Sequence, residues 1–320
     1  MLNPKLKRIG KSAFSKFGIY IAFAAVFIAI SIATPNFLTV ANMMTVLRQI
    51  SFNGMVALGM TFIIITGGID LSVGALLCLA GLFSAHYSVN GSAEELPILA
   101  AVLIGVAVST AFGLLSGLLI AKGKLPAFIV TMATMTIARG LCLVYSDGRP
   151  ITKLNDAYKA IGQSSVWGIP VPVLIFLALI VASVILLHYS RFGRHVYAVG
   201  GNAKAAKAAG INVDLVRMMV YVIGGVICGI AGVALTSRLN AASPQAAEGY
   251  ELDAIASVVI GGTSLSGGRG GVLGTIIGAL LIGIISNGLD ILNVSSYFQQ
   301  IIKGCIIILA VFMDRKNIVE

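Results

Sequence analysis

The sequence predicts an all-α integral membrane protein, a polytopic helical bundle of about ten membrane segments with both termini cytoplasmic. Three observations carry this expectation. Hydrophobic residues make up 58% of the 320 residues and charged residues only 11%, with a mean hydropathy of +0.99. Soluble domains run near ~45–50% apolar and ~25% charged. The apolar runs are continuous rather than alternating over about ten residues, which excludes a membrane β-barrel. Most of the 22 Lys and Arg flank these runs on one side, and most of the 12 Asp and Glu flank them on the other. That bias marks the cytoplasmic face. It also accounts for the net charge of +10 without a nucleic-acid partner.

Residues 1–16 carry Lys5, Lys7, Arg8, Lys11 and Lys16 and read as a basic cytoplasmic tail. No small-residue cleavage site closes the next apolar run, so 17–34 reads as a retained first span rather than a signal peptide. Pro35 breaks it. Residues 36–50 then read as a helix lying at or dipping into the outer face, and 51–66 as a span returning inward. Residues 71–88 lead out to a loop with Glu94 and Glu95. Residues 97–121 return to the basic turn of Lys122 and Lys124, and 125–145 lead out again, with Arg139 placed to snorkel. Residues 146–169 form the longest outer segment, with Trp167 as an interface anchor. After 170–189 comes the polar stretch 190–212, followed by the outward span 215–237. The outer loop 238–253 holds Glu248, Glu251 and Asp253, acids that suit an outer surface. Residues 254–266 are too few to span comfortably. Residues 272–289 lead out, and 297–313 return to a short tail, 314–320. The chain thus divides into a tail, one membrane domain over 17–313, and a second tail. Cys78, Cys142, Cys228 and Cys305 each stand alone in or beside an apolar run and read as small packing residues.

Two stretches stand out from this framework. In 190–212, Arg191, Arg194, Lys204 and Lys207 supply four cations and no acid. Asn202 can cap a helix of strong helix formers over 203–209, with Gly210 at its C′ position. An orientation signal and a docking element for a cytosolic partner both fit these residues. In the second stretch, a helix is expected to stop at Gly67-Gly68 and restart near Asp70, which serves as its N-cap. Broken backbone at membrane depth survives only where it is buried in protein or lines a wet cavity. Asp70 therefore reads first as a cap and second as a substrate contact. Gly-Gly-x-[Asp/Ser]-Leu-Ser-x-Gly occurs twice, over 67–74 (with Ser72) and over 261–268 (Gly261, Gly262, Thr263, Ser264). Paired broken helices are a transporter signature. Close packing through glycine explains the same residues.

Several chemistries are missing from the sequence. Gly10-Lys11-Ser12 lacks the earlier glycine of a phosphate-binding loop and lies in the basic tail, so the chain is not expected to hydrolyse ATP. His86, His188 and His195 lie at span ends without metal-ligand spacing, and no nucleophile elbow is present. Neither an enzyme nor a cofactor is expected. Acids inside the spans are scarce, which argues against the alternative of an ion-coupled secondary transporter. Lys303 is the cation inside the last span, and an interhelical charge partner or carbonyl contact suits it.

Short motifs now accumulate in a fixed order: Thr34-Pro35-Asn36-Phe37, GGIDLSVG over 67–74, Ala121-Lys122-Gly123, Gly193-Arg194, AVGGN over 198–202, AGIN over 209–212, GYELDAI over 249–255 and VIGGTSLS over 259–266. Over nearly its whole length the chain resembles the permease subunits of bacterial ribose-type monosaccharide ABC importers. The resemblance implies a bacterial inner-membrane permease that performs no covalent chemistry. Its partners would be a second permease copy, identical or not, a cytosolic tandem-cassette ATPase and an extracytoplasmic sugar-binding protein, all in a lipid bilayer. The resemblance turns 190–214 into an ATPase-coupling loop, with Gly193, Arg194, Gly200, Gly201, Asn202 and Gly210 on the matching positions beside the cations Arg191, Lys204 and Lys207. The expected sugar is ribose, or a relative such as allose, xylose, arabinose or galactose. Polarity and position suggest Asn53, Ser72, Thr263 and Ser264 for the lining of its path.

Overall fold

The computed structural model describes residues 20, 21 and 23–319. The basic tail 1–16 and the start of the first span lie outside them. The helices are α1 (Phe23–Ala33), α2 (Val40–Ile65), α3 (Val73–His86), α4 (Ile98–Ala121), α5 (Ala127–Ser146), α6 (Asp156–Gln163), α7 (Val171–Val184), α8 (Arg191–Gly201), α9 (Ala203–Ala208), α10 (Val213–Leu239), α11 (Tyr250–Ile260), α12 (Val272–Ile291) and α13 (Ser296–Val319). A two-residue hairpin, β1 (Ser165–Val166) with β2 (Ile169–Pro170), precedes α7. Among the described residues, six helical stretches are long and apolar enough to cross a membrane: α2, α4, α5, α10, α12 and α7 continued through the π-helical turn Ile185–Tyr189; α1, α3 and part of α13 are shorter apolar helices.

α2 and α10 form the axis of the bundle. From Ile50 to Ile65 every residue of α2 is buried. Small residues let α10 approach its neighbours closely. Ser109 of α4 donates to the Gly225 carbonyl at 2.8 Å, and a Cβ on Gly225 would lie 2.7 Å from the Ser109 carbonyl oxygen. In lipid, where burying apolar surface drives little association, such contacts are what hold helices together. α4, α5 and α7 carry exposed apolar side chains such as Leu103, Ile137 and Val181.

Loops gather at two ends in the alternation that successive spans require. At one end, Asn90 N–H donates to the Lys153 carbonyl, Ile151 pairs with Ala242, and Asn42 and Asn287 exchange two amide bonds of 3.0 Å. At the other, Gly268 N–H donates to the Ile65 carbonyl at 2.8 Å and Lys124 pairs with Asp214 at 2.5 Å.

The structure corrects several sequence expectations. Residues 36–50 and 51–66 are not a surface helix and a separate span, because Val40–Ile65 is one continuous helix. No proline interrupts it, and its 26 residues reach about 39 Å, longer than the ~30 Å hydrocarbon core. Asp70 does not cap α3. The N-cap position is Ser72, and Asp70 Oδ1 accepts from Ser72 N at 2.8 Å and Oγ at 2.6 Å. Arg139, partly exposed, donates to the Ala246 carbonyl at 2.7 Å. The outer loop is shorter than 238–253, since α10 runs to Leu239 and α11 begins at Tyr250. Asp253 is therefore a buried helical residue and not a surface acid. Cys305 is exposed, unlike the other three cysteines. The outer segment 146–169 is partly ordered by α6, whose N-cap Asn155 accepts from Tyr158 N.

Candidate functional site

Two polar constructions stand apart from the apolar bundle. One is a junction at the end where Ile65, Gly200 and Gly268 meet, and the other is an ion pair among α2, α11 and α13.

The junction starts from local chain chemistry. α2 and α11 end in the same way. Gly67 N–H donates to the Ile64 carbonyl and Gly68 N–H to that of Ile63, while Gly262 N–H donates to Val259 and Thr263 N–H to Val258. These are Schellman pairs, which need a left-handed residue after the cap. Gly67 at φ +78° and Gly262 at φ +86° supply it. Beyond each helix end a side chain braces the backbone two residues on, Asp70 to Ser72 N and Ser264 Oγ to Ser266 N at 3.3 Å. The breaks differ in length, spanning 66–72 before α3 and 261–271 before α12. The longer one reaches over and closes the shorter: Gly268 N–H satisfies the last carbonyl of α2, that of Ile65.

The stretch 190–212 folds onto this closure. Ser190 Oγ accepts from Gly193 N at 3.0 Å and starts α8. α8 is amphipathic, with Gly193, Val196 and Val199 buried and Arg191, Arg194 and His195 exposed. Its end is pressed against both breaks. A Cβ on Gly200 would overlap the Ile65 carbonyl, and a Cβ on Gly267 would lie 3.0 Å from the Gly200 oxygen, the Gly67 nitrogen and the Ile65 oxygen alike. Tyr197 donates its hydroxyl to the Gly270 carbonyl at 2.8 Å, and burial pushes its phenol up, so it stays a donor at neutral pH. Gly201 faces open space. Asn202 then caps α9, accepting from Lys204 N and Ala205 N at 3.0 Å each, and Gly210 at φ +83° ends it. Lys204 and Lys207 are exposed.

The second construction lies within the bundle. Lys303 Nζ sits 2.8 Å from Asp253 Oδ2, and Asn53 Nδ2 donates to the same oxygen at 3.3 Å. Burying a charge in this setting requires a partner and hydrogen bonds, and the cluster provides both. Asn53 Oδ1 is buried and has no hydrogen-bond partner among the described residues, as is Thr263 Oγ1. The Arg238 guanidinium lies 5.5 Å from the centre of the Phe52 ring, next in sequence to Asn53.

The structure therefore brings Gly67, Gly200 and the 261–268 repeat together, while Asn53 is held apart in the second cluster. Asp70 and Ser72 are fully buried partners of each other. Sequence reasoning missed α8 and Tyr197; it expected an interhelical charge partner or carbonyl contact for Lys303, and the structure supplies the charge partner, Asp253, which the sequence did not point to. The alternation of Gly193, Val196 and Val199 with Arg191, Arg194 and His195 was the readable signal for α8. Nothing in the sequence joins residues 253 and 303.

Comparisons with known proteins give the chain its family. The family described as branched-chain amino acid transport system / permease component matches residues 42–311. The ribose import permease protein RbsC of Bacillus subtilis is 48% identical over 319 residues, 99% of this chain and 98% of the relative. RbsC of Escherichia coli K12 is 43% identical over 93% of this chain and 92% of its own length. The L-arabinose transport system permease protein AraH of the same strain is 37% identical over 95% and 94%. No solved structure matches. The chain belongs to the permease-component family of these transport systems, among its ribose-type ABC importer permeases.

Proposed function

We propose that this chain is the transmembrane permease subunit of an ABC importer that carries a monosaccharide inward across the bacterial inner membrane. Ribose is the first candidate, with related pentoses and hexoses behind it. The observation that carries this reading is end-to-end identity of 48% with a ribose import permease. The chain contributes no catalytic group, and ATP is hydrolysed by a separate cytosolic tandem-cassette subunit. A sugar-binding protein delivers the substrate from outside, and a second permease copy completes the path.

In this reading about ten membrane segments, α1 to α5, α7 and α10 to α13, alternate through the bilayer with both termini inside. The membrane domain covers 17–313, between tails 1–16 and 314–320, with 190–214 as the coupling loop and the outer loop now shortened to the turn between α10 and α11. Arg191, Arg194, Lys204 and Lys207 present cations to the ATPase, and Gly201 leaves room for it. The tight seat of α8 on both helix breaks supports this role, since a partner that moves α8 moves the ends of α2 and α11 with it. That is a two-state element biased from one side by nucleotide and from the other by the docked sugar carrier. Asn53, with its unpartnered oxygen, and Thr263 supply polar atoms for sugar hydroxyls. Gly67, Gly68, Asp70, Ser72, Gly261, Gly262 and Ser264 shape the breaks.

The test is ATP-dependent sugar uptake in proteoliposomes holding the chain, its ATPase and its binding protein. Gly201→Trp and Lys204→Glu change only exposed positions, so both variants should insert normally yet lose ATPase association and uptake. Uptake by the chain alone on an ion gradient, indifferent to ATP, would replace this reading with the secondary transporter.

A further inference from the structure

A cavity of about 250 Å³ opens beside the first helix break, lined by the polar and glycine residues Thr66, Gly67, Gly68, Lys124, Arg217 and Tyr221 together with the apolar Ile120, Leu125 and Ala127. It lies at the end of the bundle that holds the junction. Its charge is positive. Lys124 is held by Asp214 at 2.5 Å and by the Ala121 carbonyl, while Lys207 and Arg217 also stand within electrostatic reach of Asp214. Asp214 thus stands among three cations, and Arg217 has no ion pair among the described residues. α5 starts at the cavity wall from Pro126, without a side-chain cap, so the N–H groups of its first turn add to the positive end. On α4 and α5, next to the cavity, Leu119, Phe128 and Ile129 are exposed. Cations at the mouth and bare apolar side chains alongside match an amphiphile better than a soluble anion.

We propose that this cavity binds the phosphodiester headgroup of an anionic phospholipid of the inner leaflet, with Arg217 as the principal contact, Lys124 beside it and the acyl chains along Leu119, Phe128 and Ile129. Basic pockets between helices on the cytoplasmic side are a recurrent form of such recognition. The site touches the coupling machinery directly. Gly67 and Gly68 form part of its wall, and the Tyr221 hydroxyl donates to the Ile69 carbonyl at 3.1 Å just inside it. A bound headgroup therefore braces the short break against which α8 is seated. This binding needs neither a sugar nor an ATPase, so it stands or falls separately from the transport reading.

The experiment is native mass spectrometry of the full chain released from nanodiscs containing equal amounts of phosphatidylglycerol and phosphatidylcholine. Wild type should retain phosphatidylglycerol preferentially. Arg217→Gln should lower that preference about fivefold, the effect of one cation beside an anionic leaflet. Leu125→Trp, which fills the cavity from an exposed loop position and alters no charge, should lower it as well, and it serves if Arg217→Gln folds poorly. Arg149→Gln, at the opposite end, should leave it unchanged. Equal retention of both lipids by wild type, or undiminished preference in both cavity variants, overturns the proposal. Displacement of the lipid by millimolar inorganic phosphate would reassign the cavity to a soluble phosphate and overturn the lipid assignment.

Discussion

The junction at the ends of α2 and α11 and the ion pair within the bundle solve the same problem by opposite means. At the junction, 65–68, 200–201 and 266–270 meet backbone to backbone, with Gly67, Gly200, Gly267 and Gly268 at the closest approaches. Within the bundle, Asn53, Asp253 and Lys303 meet only through side chains, from three helices far apart in sequence. The first is held by shape. A Cβ on Gly200 would overlap the Ile65 carbonyl, and the contact is made by backbone atoms and the Tyr197 hydroxyl, without an ion pair among the described residues. The second is held by charge, so its geometry tolerates change, but removing one member leaves an ion stranded. A coupling surface gains from the first design, because close-packed backbones pass on displacement and do not absorb it by rotamer changes. The second design fixes which helices belong together.

The sharpest way to break the comparison is to delete one charge. Lys303→Ala leaves Asp253, whose side chain is 7% exposed, without its cation. Breaking a buried pair in this way costs about 3 kcal/mol or more. Thermal unfolding of the purified chain in one fixed lipid should show the largest loss of any variant considered. Lys303→Met combined with Asp253→Asn removes both charges and should recover most of it, since an apolar replacement of a whole pair is often neutral. If the single variant is as stable as the double one, the cluster is not held by charge.

Gly200 and Gly201 sharpen the other side. They are adjacent, both on α8, and identical in composition. A Cβ on Gly200 would overlap the Ile65 carbonyl, whereas a Cβ on Gly201 meets nothing within 4 Å. Gly200→Ala should cost about 2 kcal/mol through overpacking, and it should lower ATP-dependent uptake more than stability alone explains, because α8 is pushed off both breaks. Gly201→Ala should change stability by less than about 0.5 kcal/mol. Equal effects at the two positions would mean that α8 does not rest on the junction.

The same contrast separates what the sequence reveals from what it hides. α9 was readable because its signals are local: Asn202 caps it, 203–208 favour helix, and Gly210 ends it in the left-handed conformation. The two glycine breaks were readable as a repeated pattern for the same reason. Their meeting was not, since Gly268 N–H and the Ile65 carbonyl carry no residue-type signal at all. α8 was overlooked despite its amphipathic pattern, because glycine lowers helix propensity and the packing of Leu187, Ile65 and Gly268 against Gly193 and Gly200 carries no residue-type signal. Asp253 was misread as a surface acid because the cation that permits its burial lies fifty residues away (|i−j| = 50). The stretch 36–50 misled for a related reason: it reads as a separate helix at the outer face, but from Val40 on it forms the first turns of a helix longer than the membrane is thick.

Asn202 tests the comparison at its smallest scale. Its side chain satisfies two N–H groups at the start of α9, and its backbone is the turn between α8 and α9. Asn202→Ala should destabilise α9 by about 1 kcal/mol, while Asn202→Asp, which keeps the acceptor, should not. α9 has six residues and no helical stability to spare in isolation, so this loss should appear as faster amide exchange over 203–208 with global unfolding nearly unchanged. Weaker ATPase association in Asn202→Ala, restored in Asn202→Asp, would mean that the partner reads the folded α9. Unchanged association in both would confine docking to α8 and its seat on the junction, and the functional unit would then be the backbone contact alone.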